Sequence, residues 1–384
     1  MLYKKTAIAF GLASLILSGC GGSSSGKGEE AIEPSQGFIF NADEMIINLT
    51  NDIIVSGYAN LDHHARAFHL ATLTLLNTPT QINLLAAQKA WQVVRKPWEQ
   101  GEAHIFGPVD ALSIDPHLDT WPLNTHDLQT LLTTQSGFTA DEISAWNDDV
   151  QGFHTMEFLL FGDGIEDNTK SIDEMTPLER EYLVATAEVF KGYAEQLHDA
   201  WAITQDSTVV NSPAYKDLLL SANNDVYASQ LAVIQELING MIGIVDEVGN
   251  GKIADPFGID INSIDTSKVE SQYSWNSLAD FTDNIQGVEN VYLGRLTEQG
   301  IDKAGIYDFV HAAKPDLAIR IKTEVATAIE KITAISGNNK LPFRQAIKDV
   351  NARVRIQTAI DALSIVQASL TNDVLPLLSK WQVN

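Results

Sequence analysis

Apolar residues recur at helical spacing along nearly the whole chain from Asn41 onward. Asn41, Asp43 and Glu44 supply a cap and an acidic first turn. Ile46, Ile47, Ile53, Ile54, Leu73 and Leu76 then mark a helical run that stops before Pro79. A run of that length predicts one extended bundle helix, or two with a break near Gly57. Thr80 opens the next helix, which carries Leu84, Leu85, Trp91 and Val94 and is expected to end at Pro97. Helical patterning resumes near Asp127, from Asp141 to Phe161, and from Thr176 to about Ile203, with Pro177 suited to a first turn. After a polar break from Asp206 to Pro213 it continues from Tyr215 to Ile244, Trp275 to Leu293, Lys303 to Ile335 and Pro342 to Trp381.

Two segments lack this periodicity. Residues 103–125 contain Gly107-Pro108, Asp115-Pro116 and Trp121-Pro122, and a connection of that length is a candidate functional loop. The second runs from Gly249 to Ser267 and is rich in Gly, Asp, Asn and Pro. No stretch reads as a convincing strand, so the predicted class is all-α. At 384 residues the chain exceeds one ordinary core. The helices divide into an N-terminal bundle, residues 37–207, and a C-terminal bundle, residues 208–384, each antiparallel. Asp149-Val150-Gln151-Gly152-Phe153 can be laid against Asn284-Ile285-Gln286-Gly287-Val288, which suggests duplication. In that register His154 falls on Glu289 and Glu157 on Tyr292, so the first half alone carries a His/Glu pair here.

The stretch from Val150 to Gly162 is apolar on every side, with Phe153, Met156, Phe158, Leu159, Leu160 and Phe161 leaving no polar stripe. Such a helix is expected to be buried. His154 and Glu157 nonetheless share one of its faces, and a buried carboxylate is costly unless paired. Glu99 and Glu102 have the same spacing, just after Arg95 and Trp98. Two helices presenting these pairs to each other would create a site of one imidazole and up to three carboxylates. That donor set suits a hard or borderline divalent or ferric ion, since carboxylate and imidazole both ligate iron or zinc and no thiolate is at hand. The competing readings are a solvated turn or ion pairs with Arg95 and Lys96 for the glutamates, and a hydrogen-bonded buried pair for His154 and Glu157.

The remaining histidines carry less. His63, His64 and His69 lie on the first helical run and read as a helix face, and His104 is a possible outer group of the acidic pair. His117 and His126 lie in or near the irregular loop, while His198 and His311 lack an acidic partner at a telling spacing. Asp163, Glu166, Asp167, Asp173 and Glu174 do not follow the ligand order of a calcium loop. The His-Glu-x-x-His signature is absent, although a His₂Glu zinc site of carboxypeptidase type is compatible with the motif. Neither a Ser-His-Asp arrangement nor a glycine-rich phosphate loop is visible.

The first residues have a different character. Lys4-Lys5 precede an apolar run from Thr6 to Leu17, and Leu17-Ser18-Gly19-Cys20 resembles the lipobox of bacterial lipoproteins. The expectation is a signal peptide over residues 1–19, lipidation of Cys20 and a flexible tether over residues 20–36. Cys20 is the chain's single cysteine, and Gly21 after it favours the outer membrane by resemblance to sorted lipoproteins. Removing residues 1–19 takes away Lys4 and Lys5 and no acid, which moves the formal charge from -25 to -27. A field of that sign repels nucleic acid and anionic lipid and argues against both as partners.

Gly152-Phe153-His154-Thr155-Met156-Glu157 matches the Gly-x-His-x-x-Glu motif of imelysin-like proteins, also classed as peptidase family M75. The stretch from Ala90 to Glu102 followed by Phe106-Gly107-Pro108 resembles the second hallmark of that family. Ser274-Trp275-Asn276-Ser277-Leu278-Ala279-Asp280-Phe281 through Gly294 is similar to its C-terminal half. The resemblance covers roughly residues 40–380. It implies two helical bundles related by duplication and a periplasm-facing envelope protein of a Gram-negative bacterium. It also implies a link to iron regulation or iron uptake and a metal or ligand site near His154 and Glu157. Carried over by position, Glu99 and Glu102 join those two as metal candidates, Arg95 and Trp98 support them, and Ser274, Asn276 and Asp280 are candidates from the second bundle.

Three functions are therefore expected in turn. The first is a lipid-anchored protein that binds iron, or an iron-bearing ligand, and works with envelope partners in its uptake without covalent chemistry. The second is a metallopeptidase using His154 and Glu157. The third is a metal-free binding module.

Overall fold

Among the described residues eight helices carry the architecture, and local chemistry sets the starts of several of them. We name them α1 (Ser56–Asn77), α2 (Gln81–Gly101), α3 (Gly152–Phe161), α4 (Pro177–Ala202), α5 (Gln230–Asp246), α6 (Ser277–Leu293), α7 (Pro315–Ala334) and α8 (Val350–Ser369). This computed structural model describes residues 37–296 and 303–382. The expected signal peptide, Cys20 and the tether lie outside the described residues. Thr80 caps α2 by accepting a hydrogen bond from the Asn83 amide, and Thr176 with Glu179 forms a reciprocal capping box ahead of Pro177.

The chain is all-α, as its periodicity predicts. Its described strands are one two-residue parallel pair, Phe38–Ile39 with Trp381–Gln382, which ties the two ends of this unit together. Phe38, Phe40 and Trp381 meet edge-on around Phe309 beneath that pair. α1 packs against α2 and α4, and α3 packs against α2 and α4. α7 packs against α6 and α8, and α5 against the same two helices, while α2 and α6 join the two sets. Trp91, Trp98, Trp201, Tyr58 and Phe153 are buried within this arrangement. No helix among the described residues is long and apolar enough to cross a membrane.

Several boundaries differ from the sequence expectation. Pro97 does not end its helix: α2 continues through it to Gly101. Proline removes one hydrogen bond there, and the burial of Trp98 and Glu99 on the following turn keeps the helix running. The run from Asp43 to Asn77 does not break at Gly57 but passes through a π-helical segment, Leu49–Val55. The pattern from Asp141 to Phe161 is split, because Gln151 is extended and Gly152 has φ of 75°. Residues expected to be irregular after Gly249 continue α5 as a π-helical turn, Glu247–Ala254.

Two glycines set how closely α2, α3 and α6 meet their neighbours. A β-carbon on Gly152 would lie 2.5 Å from the Leu118 carbonyl oxygen, and one on Gly287 would lie 2.2 Å from that of Gln100. Only glycine permits backbones to approach so closely. Gly152 thereby draws the short helix Ile114–Asp119 onto the start of α3, and Gly287 seats α6 on the end of α2.

Candidate metal centre

α3 is buried as its composition requires, and neighbouring side chains hold it in place through its carbonyls. Trp91 Nε1 donates to Phe153 O at 3.1 Å and Gln88 Nε2 to Leu160 O at 2.9 Å. Just before the helix, Tyr182 donates to Val150 O at 2.6 Å. His154 and Glu157, 1% and 0% exposed, lie on one face of this fixed helix. His154 Nδ1 is 3.0 Å from Glu157 Oε2, while Glu157 Oε1 accepts from both the backbone N and the Oγ of Ser274, each at 2.7 Å. Glu157 therefore orients the ring and leaves Nε2 pointing elsewhere.

Nε2 faces two further acids. Asp119 Oδ1 is 3.1 Å away and Glu270 Oε1 is 3.9 Å away. One ligand atom each from Asp119, His154 and Glu270 can be chosen so that all lie within 4.8 Å of one another. One imidazole nitrogen and two carboxylate oxygens form a donor set suited to iron, zinc or manganese. Trp98 Nε1 steadies Asp119 through Oδ2 at 2.6 Å, and Ser277 Oγ holds the Glu270 carbonyl at 2.6 Å. The half-buried Trp121 ring stands edge-on to the imidazole at 4.6 Å.

Arg95 and Lys252 tie the remaining acids to this triad. The Arg95 guanidinium is wholly buried and contacts Glu99 and Asp119. It also reaches Glu270 at 2.6 Å and Asp280 at 3.3 Å. Lys252 Nζ lies 2.8 Å from Glu102, 3.2 Å from Glu270 and 3.5 Å from Glu99. Asn284 Nδ2 donates to Glu99 at 2.6 Å and Glu102 at 2.5 Å, and Asn276 Nδ2 donates to Asp280 at 2.6 Å.

The cluster is short of positive charge. Six carboxylates, of Glu99, Glu102, Asp119, Glu157, Glu270 and Asp280, face two permanently charged side chains among the described residues, Arg95 and Lys252. A protonated His154 leaves three negative charges uncompensated in a dry interior, where isolated charge is expensive. Protons make up part of the difference. Burial drives Glu99 well up in spite of Arg95 and Lys252, raises Glu102 to about 8 against the pull of Lys252, and raises Asp280 to about 6 against that of Arg95. Burial alone would depress His154, but its hydrogen bonds to Asp119 and Glu157 win and raise it to about 9. A cation bound at Nε2 would displace that proton and supply the missing charge.

The Glu102 shift has a measurable sign. Its folded value of about 8 lies above its ordinary 4.5, so between those limits the folded state binds the proton more tightly than the unfolded state. Stability is present in full below the ordinary value and is lost as pH rises through the folded one. Metal-free protein is expected to melt at progressively lower temperature from pH 5 to pH 9, and Glu102→Gln to flatten that slope. An unchanged slope in the variant would remove Glu102 as its source.

The structure brings Arg95, Trp98, Glu99, Glu102, His154, Glu157, Ser274, Asn276 and Asp280 into one network, in different roles. His154 belongs to the triad, and Glu157 and Ser274 act on its far nitrogen. Glu99, Glu102, Asp280 and Asn276 sit around Arg95 and Lys252. The sequence reading missed Asp119, Glu270, Lys252 and Asn284. Asp119 lies within the irregular connection 103–125, Glu270 stands four residues before Ser274, and Asn284 opens the repeat aligned with Asp149. Those were the signals available. His117 instead pairs with Asp148 at 2.6 Å and stacks on Tyr193.

The chain is similar over 379 residues to iron-regulated protein A of Synechococcus elongatus, at 28% identity, covering 98% of this chain and 94% of that protein. A crystal structure from Parabacteroides distasonis, described as an iron-regulated protein A precursor, superposes with a TM-score of 0.74 at 27% identity. The match covers 88% of this chain and 95% of that one. An imelysin-like protein from Psychrobacter arcticum shares the fold, with a TM-score of 0.68 at 13% identity over 89% of this chain and 98% of its own. Residues 54–370 match the Peptidase M75 family model described as imelysin, and the chain belongs to the imelysin family.

Proposed function

We propose that this protein is a lipid-anchored envelope protein that binds one metal ion, iron foremost and zinc as the alternative, at Asp119, His154 and Glu270, and that it serves iron uptake. The observation that carries this reading is the buried excess of carboxylates over cations around a triad of convergent ligands. The name of the Synechococcus relative supports an iron-related role. Cys20 would hold the protein at the outer membrane of a Gram-negative bacterium, where envelope uptake proteins are the natural partners for a released ion. The matching close approaches at Gly152 and Gly287 support reading the two helix sets as bundles of common origin.

The peptidase alternative fits less well. That reading makes Glu157 a metal ligand beside His154, with one of its oxygens turned to the ion. Both oxygens of Glu157 are engaged, one by His154 and the other twice by Ser274. Titration of metal-free protein with ferrous iron and with zinc is expected to saturate at about one equivalent, the number a single triad can hold. Absence of stoichiometric binding for either ion would overturn the proposal in favour of a metal-free module. Peptide-library cleavage that disappears in Glu157→Ala would favour the peptidase.

A further inference from the structure

A groove of about 570 Å³ opens between α1, α2 and α6, and none of its lining residues belongs to the triad. Its size is that of a small-molecule site. His104 lines it while being only 2% exposed, and the ring Nδ1 is buried without a hydrogen-bond partner. Gly57 and Gly101 keep the opposite ring edge clear. A β-carbon on Gly57 would lie 3.9 Å from Nε2, and one on Gly101 3.7 Å from Cε1. Burial lowers the imidazole to about 4, so it is neutral at physiological pH, with one nitrogen to donate and one to accept. Its Nε2 edge, the one that Gly57 faces, is where a ligand in the groove would meet the ring.

The rim defines the ligand's chemistry. Lys89 and Lys96 bring ammonium groups, and Gln92, Gln100 and Asn276 bring amides. The single carboxylate of the lining among the described residues, Asp283, already accepts from Gln100 Nε2 at 2.8 Å. In a chain of formal charge -25, two lysines against one aspartate make this a local reversal of sign. Among the described residues no Phe, Tyr or Trp lines the groove, so it offers no stacking face of that kind for a sugar or an aromatic ring. Asn276 also links the groove to the acidic cluster through its bond to Asp280.

We propose that this groove binds a small polycarboxylate, its oxygens read by Lys89, Lys96, the amide side chains and the His104 ring. The assignment stands on groove residues alone and does not require the metal reading. The polycarboxylate could arrive free or as a metal chelate, and the two share the same carboxylate chemistry.

Isothermal titration of the mature protein with citrate, ferric citrate and inorganic phosphate tests this. One equivalent of citrate or ferric citrate is expected to bind, and the tighter of the two identifies the form carried. Lys89→Gln, an exposed change, and His104→Phe, which keeps the ring volume and removes the polar nitrogens, are each expected to weaken binding on the order of tenfold. Thermal melting of the His104→Phe protein no lower than the parent's would show that its loss of binding is not a loss of fold. A His154→Ala protein that has lost metal binding is expected to keep its citrate binding, which separates the two sites. The proposal is overturned if neither carboxylate binds, if phosphate binds as tightly as citrate, or if both groove variants retain full affinity.

Discussion

Arg95→Met is expected to lose about 3–5 kcal/mol of folding stability, read as a lower urea midpoint with an unchanged slope. Methionine keeps much of the volume, so the loss reports charge rather than a cavity. The guanidinium is wholly buried among Glu99, Asp119, Glu270 and Asp280. Without it, Lys252 is the one permanent cation among the described residues left facing the cluster. Arg95→Lys is also expected to destabilise the fold, because one ammonium cannot present five donors in the planar arrangement that meets four acids. Carboxylates stripped of the guanidinium hold their protons more tightly folded than unfolded, so the loss should be larger at pH 8 than at pH 5. A change below about 1 kcal/mol, the usual value of an exposed pair, would mean that the acids are solvated and that the charge imbalance is not real.

The second large effect concerns the metal itself. His154→Ala removes the triad's nitrogen and is expected to weaken iron or zinc binding by more than about 100-fold, whereas Glu157→Gln should cost about 10–100-fold by loosening the ring's orientation. Competition against a chelator of known affinity reads both. The order of the two matters more than either value. A Glu157→Gln loss equal to that of His154→Ala would make Glu157 a direct ligand, and full affinity in both variants would place the metal away from α3.

The physics behind these predictions was partly legible in the residues. An apolar helix carrying His154 and Glu157 announces a buried polar pair, and burial is what the structure finds. Arg95, Glu99 and Glu102 were visible because they repeat at helical spacing on one segment. Pro97 misled the boundary of that segment, since the burial of the turn beyond it outweighs a missing hydrogen bond. The candidate ligands Asp119 and Glu270 sit in or beside stretches without periodicity, where sequence carries no orientation signal.

Local pattern alone therefore determined the helices, the all-α class and the presence of an acid–imidazole pair that needs a partner. Tertiary structure decided the partners: Ser274 meets Glu157 across 117 positions, Glu270 meets Arg95 across 175, and Asp280 meets it across 185. Helical periodicity is written by neighbours three and four residues apart, and it extends no further along the chain. Which distant carboxylate reaches Nε2 depends instead on backbone approaches such as those at Gly152 and Gly287, which exist only once the helices have packed.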